Sequence, residues 1–329
     1  MGKFILGFLG LLVIILLGSF VFEKIYYYPV KVSFGVTFSP KYARYLKLDW
    51  QKTYVEVLDN LKVKNLRIPG YWDILEPEEE RYNFAETDYM LDEANKRNVK
   101  AVLVLGVKQP RWPECHIPVW AKSLSTKERQ KKILQFIQKT VERYEANSAV
   151  WAWQVENEPL LPFFGAGCDD IDTNFLKTEV NLVRSISQRK ILVSDSGELG
   201  AWIVPMQLSD IFGTTLYREV SNPIMGYFTY PTLPYFYNLK AQIAKIFAPA
   251  NQKTVVIELQ AEPWFADGDP LTNISQEAKK FPVQRMASYI NYAKKTGFDE
   301  MYLWGVEWWY FMAEHGYPEY LDYAKTLFK

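Results

Sequence analysis

The feature that most constrains this chain is a repeated alternation between short β-branched runs and longer stretches of helical periodicity. Eight runs read as strands: Val32–Thr37, Asn65–Pro69, Val99–Gly106, Ala149–Glu156, Lys190–Asp195, Ile211–Tyr217, Thr254–Leu259 and Glu300–Gly305. Between them lie helix candidates at Thr53–Leu61, Glu86–Asn98, Lys127–Asn147, Phe175–Gln188, Leu239–Phe247 and Ala278–Thr296. A parallel strand buried on both faces reads as a nearly continuous apolar run, whereas its crossover helix carries one apolar stripe. Eight such units in one chain predict an α/β fold, a (β/α)8 TIM barrel. A doubly wound open sheet is the alternative. It lacks its phosphate-binding turn here, because no GxGxxG follows the first run and no GxxxxGK[ST] occurs.

The helix signals have physical causes. Ser125 followed by Glu128 is a capping box, in which the two side chains satisfy amides left open at a helix start. Ile133, Phe136, Ile137, Val141 and Tyr144 then recur at three- and four-residue spacing and predict one buried stripe. Met286, Tyr289, Ile290 and Ala293 predict another, stopped by Gly297, and Leu239, Ile243 and Ile246 predict a third. The connection after the sixth strand shows the weakest pattern.

At the other end of the chain, Phe4–Phe22 is an uncharged stretch bounded by Lys3 and by Glu23-Lys24. As a helix it spans roughly 28 Å, about one bilayer core. The reading is an N-terminal transmembrane helix within residues 1–23, preceding a catalytic barrel over residues 24–329. A cleaved signal peptide is the alternative, although Gly18-Ser19-Phe20 is a poor cleavage site. Lys+Arg and Asp+Glu both number 38, so the chain carries no excess positive charge to attract a phosphate backbone, and nucleic acid is not an expected partner. The only histidines, His116 and His315, sit in no metal-ligand spacing, so neither a metal site nor another cofactor is expected.

In a barrel, reactive side chains project from the carboxyl ends of the strands. The fourth run ends Gln154-Val155-Glu156-Asn157-Glu158-Pro159, and the seventh ends Ile257-Glu258-Leu259-Gln260-Ala261-Glu262-Pro263-Trp264. Each sets a carboxylate after an apolar run, where a charge is costly unless partnered or used. Glu156, one residue out of phase with Asn157, is read as facing the helices. Asp195, Ser196 and Glu198 follow strand five, where a substrate contact and a turn role are both open.

These ends resemble a known group. Asn157-Glu158-Pro159 looks like the acid/base signature of the retaining (β/α)8 glycoside hydrolases with catalytic glutamates on strands four and seven. Leu66-Arg67-Ile68-Pro69, Tyr71-Trp72, Glu76-Pro77 and Arg81-Tyr82-Asn83-Phe84 are similar to the second strand and loop of the cellulase-like and β-galactosidase-like members. The resemblance implies Glu158 as general acid/base and Glu258 as nucleophile, working through a glycosyl-enzyme intermediate. It implies that Arg67 pairs with the nucleophile, Asn157 meets the sugar 2-hydroxyl, Tyr217 orients the nucleophile and Trp304 floors the subsite. The sequence departs from the pattern twice. Ile257 stands where a Thr usually precedes the nucleophile, and Glu262 follows four residues on, so both Glu258 and Glu262 stay open as nucleophile. Lys108 stands near where strand three often ends in a substrate-contacting His.

Cys115 and Cys168 follow strands three and four, on adjacent loops of one rim. A disulfide there implies an oxidising, extracytoplasmic compartment; two free thiols are the alternative. Aromatic residues make up 16% of the chain, and Trp72, Trp112, Trp120, Trp202, Trp264, Trp304, Trp308 and Trp309 fall at or just past strand ends. Sugar rings rest their C–H faces on such planes, so the expected partner is an oligo- or polysaccharide. Substrate contacts are assigned to Arg67, Trp72, Lys108, Trp112, Asn157, Tyr217, Trp264 and Trp304. A membrane-tethered retaining β-glycosidase or endo-β-glycanase is the first reading. A non-catalytic glycan-binding barrel and an envelope-glycan transglycosylase are the alternatives. Two opposed glutamates favour catalysis, since binding alone does not require them.

Overall fold

The structure, a computed structural model, describes residues 31–162, 165, 167–168, 170–222, 226–249, 252–265 and 270–329. The apolar stretch Phe4–Phe22 lies outside the described residues. Among the described residues, no helix is long and apolar enough to cross a membrane. Eight parallel strands close a barrel: β1 Ser33–Thr37, β2 Asn65–Pro69, β3 Lys100–Leu105, β4 Val150–Val155, β5 Lys190–Asp195, β6 Ile211–Leu216, β7 Lys253–Gln260 and β8 Glu300–Trp304. Each pairs with its neighbours in chain order, and β8 returns to β1 in the register Ser33↔Glu300 to Val36↔Leu303. All eight expected strands are present with ends shifted by at most two residues, so the open sheet is excluded.

Two apolar zones follow from the alternation of side chains along each strand. Outward-facing residues pack under the helices. Inward-facing Val102, Ala152, Leu192, Ile211, Val255, Ile257 and Tyr302 plug the barrel. The helix Thr126–Tyr144 opens with the expected capping box at Ser125 and Glu128 and buries its expected stripe. Two helix expectations need correction. The stretch Ala278–Thr296 is two helices, Ile274–Lys280 and Val283–Lys294. Pro282 lacks the amide hydrogen that would continue the first and forces Phe281 out of the helical region. The stripe Leu239, Ile243 and Ile246 is not buried, with exposures of 45%, 54% and 76%. The helix Tyr235–Lys245 turns Tyr237, Ala241 and Ala244 inward instead. Small alanines let it approach the barrel closely, while the Tyr237 hydroxyl hydrogen-bonds Glu198.

The unclear connection after β6 is an antiparallel hairpin, Glu219–Asn222 with Gly226–Thr229, standing above the carboxyl rim. Cys115 and Cys168 form a disulfide, closing a 53-residue separation between the loops after β3 and β4.

Candidate active site

The carboxyl ends of β4 and β7 are both shaped to present a glutamate. On β7 the register steps from Thr214↔Val256 to Thr215↔Glu258, leaving Ile257 as an extra residue. This bulge breaks the strand alternation, so two consecutive side chains point inward. Ile257 fills the barrel plug, and Glu258 reaches the layer above it. After β4 the backbone leaves the sheet through two residues at positive φ, Glu156 at 58° and Glu158 at 44°. Such conformations cost non-glycine residues energy and persist where neighbours over-determine them. Here the Asn157 amide donates to the Lys108 carbonyl at 2.7 Å, and the Glu158 amide donates to Ser194 Oγ at 3.0 Å.

Arg67 organises the floor. It is wholly buried and donates through Nη1 to Glu258 Oε1 at 2.6 Å, through Nη2 to Asn157 Oδ1 at 2.6 Å, and through Nε to Gln154 Oε1 at 2.8 Å. The Tyr217 hydroxyl donates to the other oxygen, Glu258 Oε2, at 3.0 Å. Both oxygens of Glu258 are therefore held in one orientation. Among the described residues no cation pairs with the Glu158 carboxyl, while Lys108 binds the Glu158 backbone carbonyl nearby; Thr215 Oγ1 donates to Glu158 Oε1 at 3.1 Å. Burial, then the negative charges of Glu258 and Glu114, push the Glu158 carboxyl well above the ordinary range. Glu158 and Glu258 line one cavity of about 450 Å³ together with Tyr217, Trp264 and Trp304.

Glu262 faces elsewhere. It pairs with Arg111, which also donates to Glu307 Oε2 at 2.7 Å and lies between the rings of Tyr42 and Trp304, 3.8 and 4.2 Å from their centroids. Burial, offset by Arg111, pushes Glu262 up to about 7. The cluster fixes Trp304 from behind, and Glu262 does not line the cavity.

Other expected contacts divide. Trp112 is 80% exposed on the cavity rim, and Trp264 meets Tyr217 edge-on at 5.7 Å. Trp72 is a core residue: its indole donates to Glu76 at 2.7 Å and packs against Phe136. Trp202, Trp308 and Trp309 are likewise wholly buried in packing. Lys108 directs its ammonium to the carbonyls of Glu158 and Leu161, both at 2.9 Å, and so braces the loop that carries Glu158. Asp195 makes a turn by accepting from the amides of Ser196 and Trp202, whereas Ser196 and Glu198 line the cavity. Glu156 faces the helices, where it accepts from the Val107 and Lys108 amides and meets the buried Glu179.

The sequence reading missed Arg111, Glu114, Thr215 and the hairpin residues Val220 and Ser221, all of which line the cavity. Thr215 could have been found by alternation along β6. Nothing in the spacing marks the others. Among the described residues no group of three or more His, Cys, Asp or Glu is placed to hold a metal ion.

Comparison with known proteins agrees with this geometry. Residues 60–166 match the model of Glycosyl hydrolase family 10. That match covers about a third of the chain. The beta-galactosidase BgaA of Clostridium cellulovorans is 27% identical over 46% of this chain and 26% of its own length. A β-galactosidase structure from the psychrophilic Marinomonas ef1 covers 83% of this chain and 54% of its own, at 14% identity and a TM-score of 0.56. An endo-β-1,4-xylanase of glycoside hydrolase family 10 from Gloeophyllum trabeum covers 84% of both chains, at 15% identity and a TM-score of 0.53. At these identities the structural likeness establishes the barrel fold. This chain spans about a quarter of the curated relative and about half of the Marinomonas protein.

Proposed function

We propose that this protein is a retaining β-glycoside hydrolase, with Glu158 as general acid/base and Glu258 as nucleophile. The observation that carries the proposal is the opposite treatment of two carboxyl groups in one cavity. Glu258 is held by Arg67 and Tyr217, whereas among the described residues no cation pairs with the Glu158 carboxyl, which is buried near other negative charge. Such an arrangement separates an acid from a base, which double displacement requires.

The Glu158 carboxyl donates its proton to the glycosidic oxygen as Glu258 attacks the anomeric carbon, and the aglycone leaves. Arg67 and Tyr217 orient the attacking carboxylate, so little reorganisation accompanies bond formation. Ionised Glu158 then takes a proton from water, which displaces Glu258 and returns the free enzyme with the β-configuration retained. Asn157, fixed by Arg67, Gln154 and Ser194 around its Oδ1, keeps its amide hydrogens for a sugar hydroxyl. Proton NMR of a freshly started aryl β-glycoside hydrolysis tests the proposal. The β-anomer appears first if the reaction retains configuration; first appearance of the α-anomer overturns it.

The location is proposed on the same footing: Phe4–Phe22 tethers the barrel to a membrane on its oxidising side. The Cys115–Cys168 disulfide supports that compartment. Fractionation of cells expressing the full chain should leave it with membranes after carbonate washing and release it once residues 1–22 are deleted; release of the full chain overturns the tether.

A further inference from the structure

The cavity is unusual in its charge. Four carboxyl groups line it, those of Glu114, Glu158, Glu198 and Glu258, and among the described residues Arg111 is the only lysine or arginine in the lining. Arg111 is engaged by Glu262 and Glu307 and stacked between two rings. Arg67 and Lys108 are also engaged, Arg67 through bonds to Glu258, Asn157 and Gln154, and Lys108 through two carbonyls. Arg111 keeps one buried Nε–H without a partner among the described residues, but two carboxylates already balance its charge.

Glu114 is the member of this set with no evident structural task. Its Oε2 is buried and has no hydrogen-bond partner among the described residues. A buried carboxyl oxygen without a partner is costly, and it is tolerated where a ligand completes it. Its position is fixed from both sides. The Glu114 carbonyl accepts from the Gln109 amide at 2.7 Å, its amide donates to the Arg111 carbonyl at 2.8 Å, and the next residue is the disulfide-bonded Cys115. The backbone that carries the side chain is therefore fixed by the loop after β3. Burial, with a contribution from Glu258, pushes its carboxyl up to about 7, and Glu198 is pushed up to about 7 mainly by burial.

We infer that Glu114 is a sugar-binding residue that hydrogen-bonds ring hydroxyls in the cleavage cleft, and that the cleft takes uncharged β-linked sugars while rejecting uronic acids. This rests on the hydrolase reading above. A sugar hydroxyl can donate to Glu114 Oε2 or accept from its protonated form, so either protonation state serves a neutral ring. A sugar carboxylate would enter a desolvated site lined by four carboxyl groups and by a single guanidinium that Glu262 and Glu307 already neutralise.

The test compares aryl β-glucoside and β-galactoside with their uronide counterparts, using the full chain and its Glu114→Gln and Glu114→Ala variants. Trapping with 2-fluoro-glycosides first counts the active sites in each. The uronides should be turned over at least ~100-fold less efficiently than the neutral sugars. Glu114→Ala should lower kcat/KM on neutral sugars by about 10- to 100-fold, mostly through KM, with trapping still stoichiometric. Glu114→Gln, which keeps the shape and removes a charge, should narrow the uronide penalty. Neutral-sugar kinetics within two-fold of the parent in Glu114→Ala, or uronides accepted equally, would overturn the inference. If the parent chain itself forms no adduct, the hydrolase reading fails instead. Titration calorimetry of neutral and uronic-acid oligosaccharides on the same three proteins then decides the role of Glu114 by binding alone.

Discussion

Exchanging each of the two strand-seven glutamates for glutamine should separate chemistry from scaffold. Glu258→Gln keeps the size of the side chain but removes the proposed nucleophile and the carboxyl group facing Arg67, whose Nη1 lies 2.6 Å away. Without a covalent route kcat should fall by at least ~10⁴-fold, which is about 5 kcal/mol of transition-state stabilisation. Stability should also fall, by about 3–5 kcal/mol, because a wholly buried guanidinium loses its counter-charge. Glu262→Gln breaks a different contact. Arg111 retains Glu307 at 2.7 Å and both ring faces, so the loss is about 1–3 kcal/mol, or roughly 2–8 °C in Tm. Its effect on kcat should stay within about 10-fold, transmitted through Trp304. Calorimetric melting, steady-state kinetics and peptide mapping of a 2-fluoro-glycosyl adduct read the three quantities. An adduct on Glu262, or a larger kcat loss in Glu262→Gln than in Glu258→Gln, would refute the assignment.

The proposed general acid gives a second prediction. Glu158→Gln should lose about 10²–10⁴-fold on glycosides with poor leaving groups and far less on activated aryl glycosides, and the alkaline fall of kcat/KM should disappear from its pH profile. The buried pair Glu156–Glu179 makes stability depend on pH. Burial pushes Glu156 up to about 7 and Glu179 well above its ordinary value. The folded state thus holds protons that the unfolded chain releases above about pH 4.5. Unfolding free energy should decline by the order of 1–3 kcal/mol as pH rises from 5 to 7, and Glu179→Gln should flatten that slope in denaturant melts. Replacing Cys115 and Cys168 together by serine opens the 53-residue loop and should cost 2–4 kcal/mol, with a mobility change only in non-reducing gels of the parent. The exposed stripe of the helix Tyr235–Lys245 predicts tolerance: Ile243→Lys should change stability by less than about 0.5 kcal/mol, and a loss above 2 kcal/mol would mean that this face is covered.

How far the sequence was legible follows from what each feature depends on. Strands were legible because a buried parallel strand must be apolar along its whole length; their carboxyl ends offered Glu156, Glu158, Glu258 and Glu262, and the family resemblance pointed to Glu158 and Glu258 among them. The helix Tyr235–Lys245 was misread because periodicity reports an apolar stripe but not whether a neighbour covers it; two alanines and Tyr237 make the actual contact. The tryptophans were over-read for the same reason. Lying past a strand end is compatible with facing the cavity, as Trp304 does, or the helical shell, as Trp72 does. Arg111 was invisible because its partners Glu262 and Glu307 follow β7 and β8, 151 and 196 positions away.

Ile257 shows the relation between sequence and site most directly. In an unbroken β7, alternation would allow either Ile257 or Glu258 to face inward, and a nucleophile at Glu258 would leave Ile257 among the helices. The bulge removes that conflict by turning both inward at different depths. An isoleucine is therefore compatible with a nucleophile beside it, because it closes the barrel plug directly beneath the Arg67–Glu258 pair. Its branched side chain fills space that water would otherwise enter, and dry surroundings strengthen the ion pair that holds the carboxylate in place. The departure from the expected threonine moves a polar neighbour out of the floor of the site and leaves orientation of Glu258 to Arg67 and Tyr217.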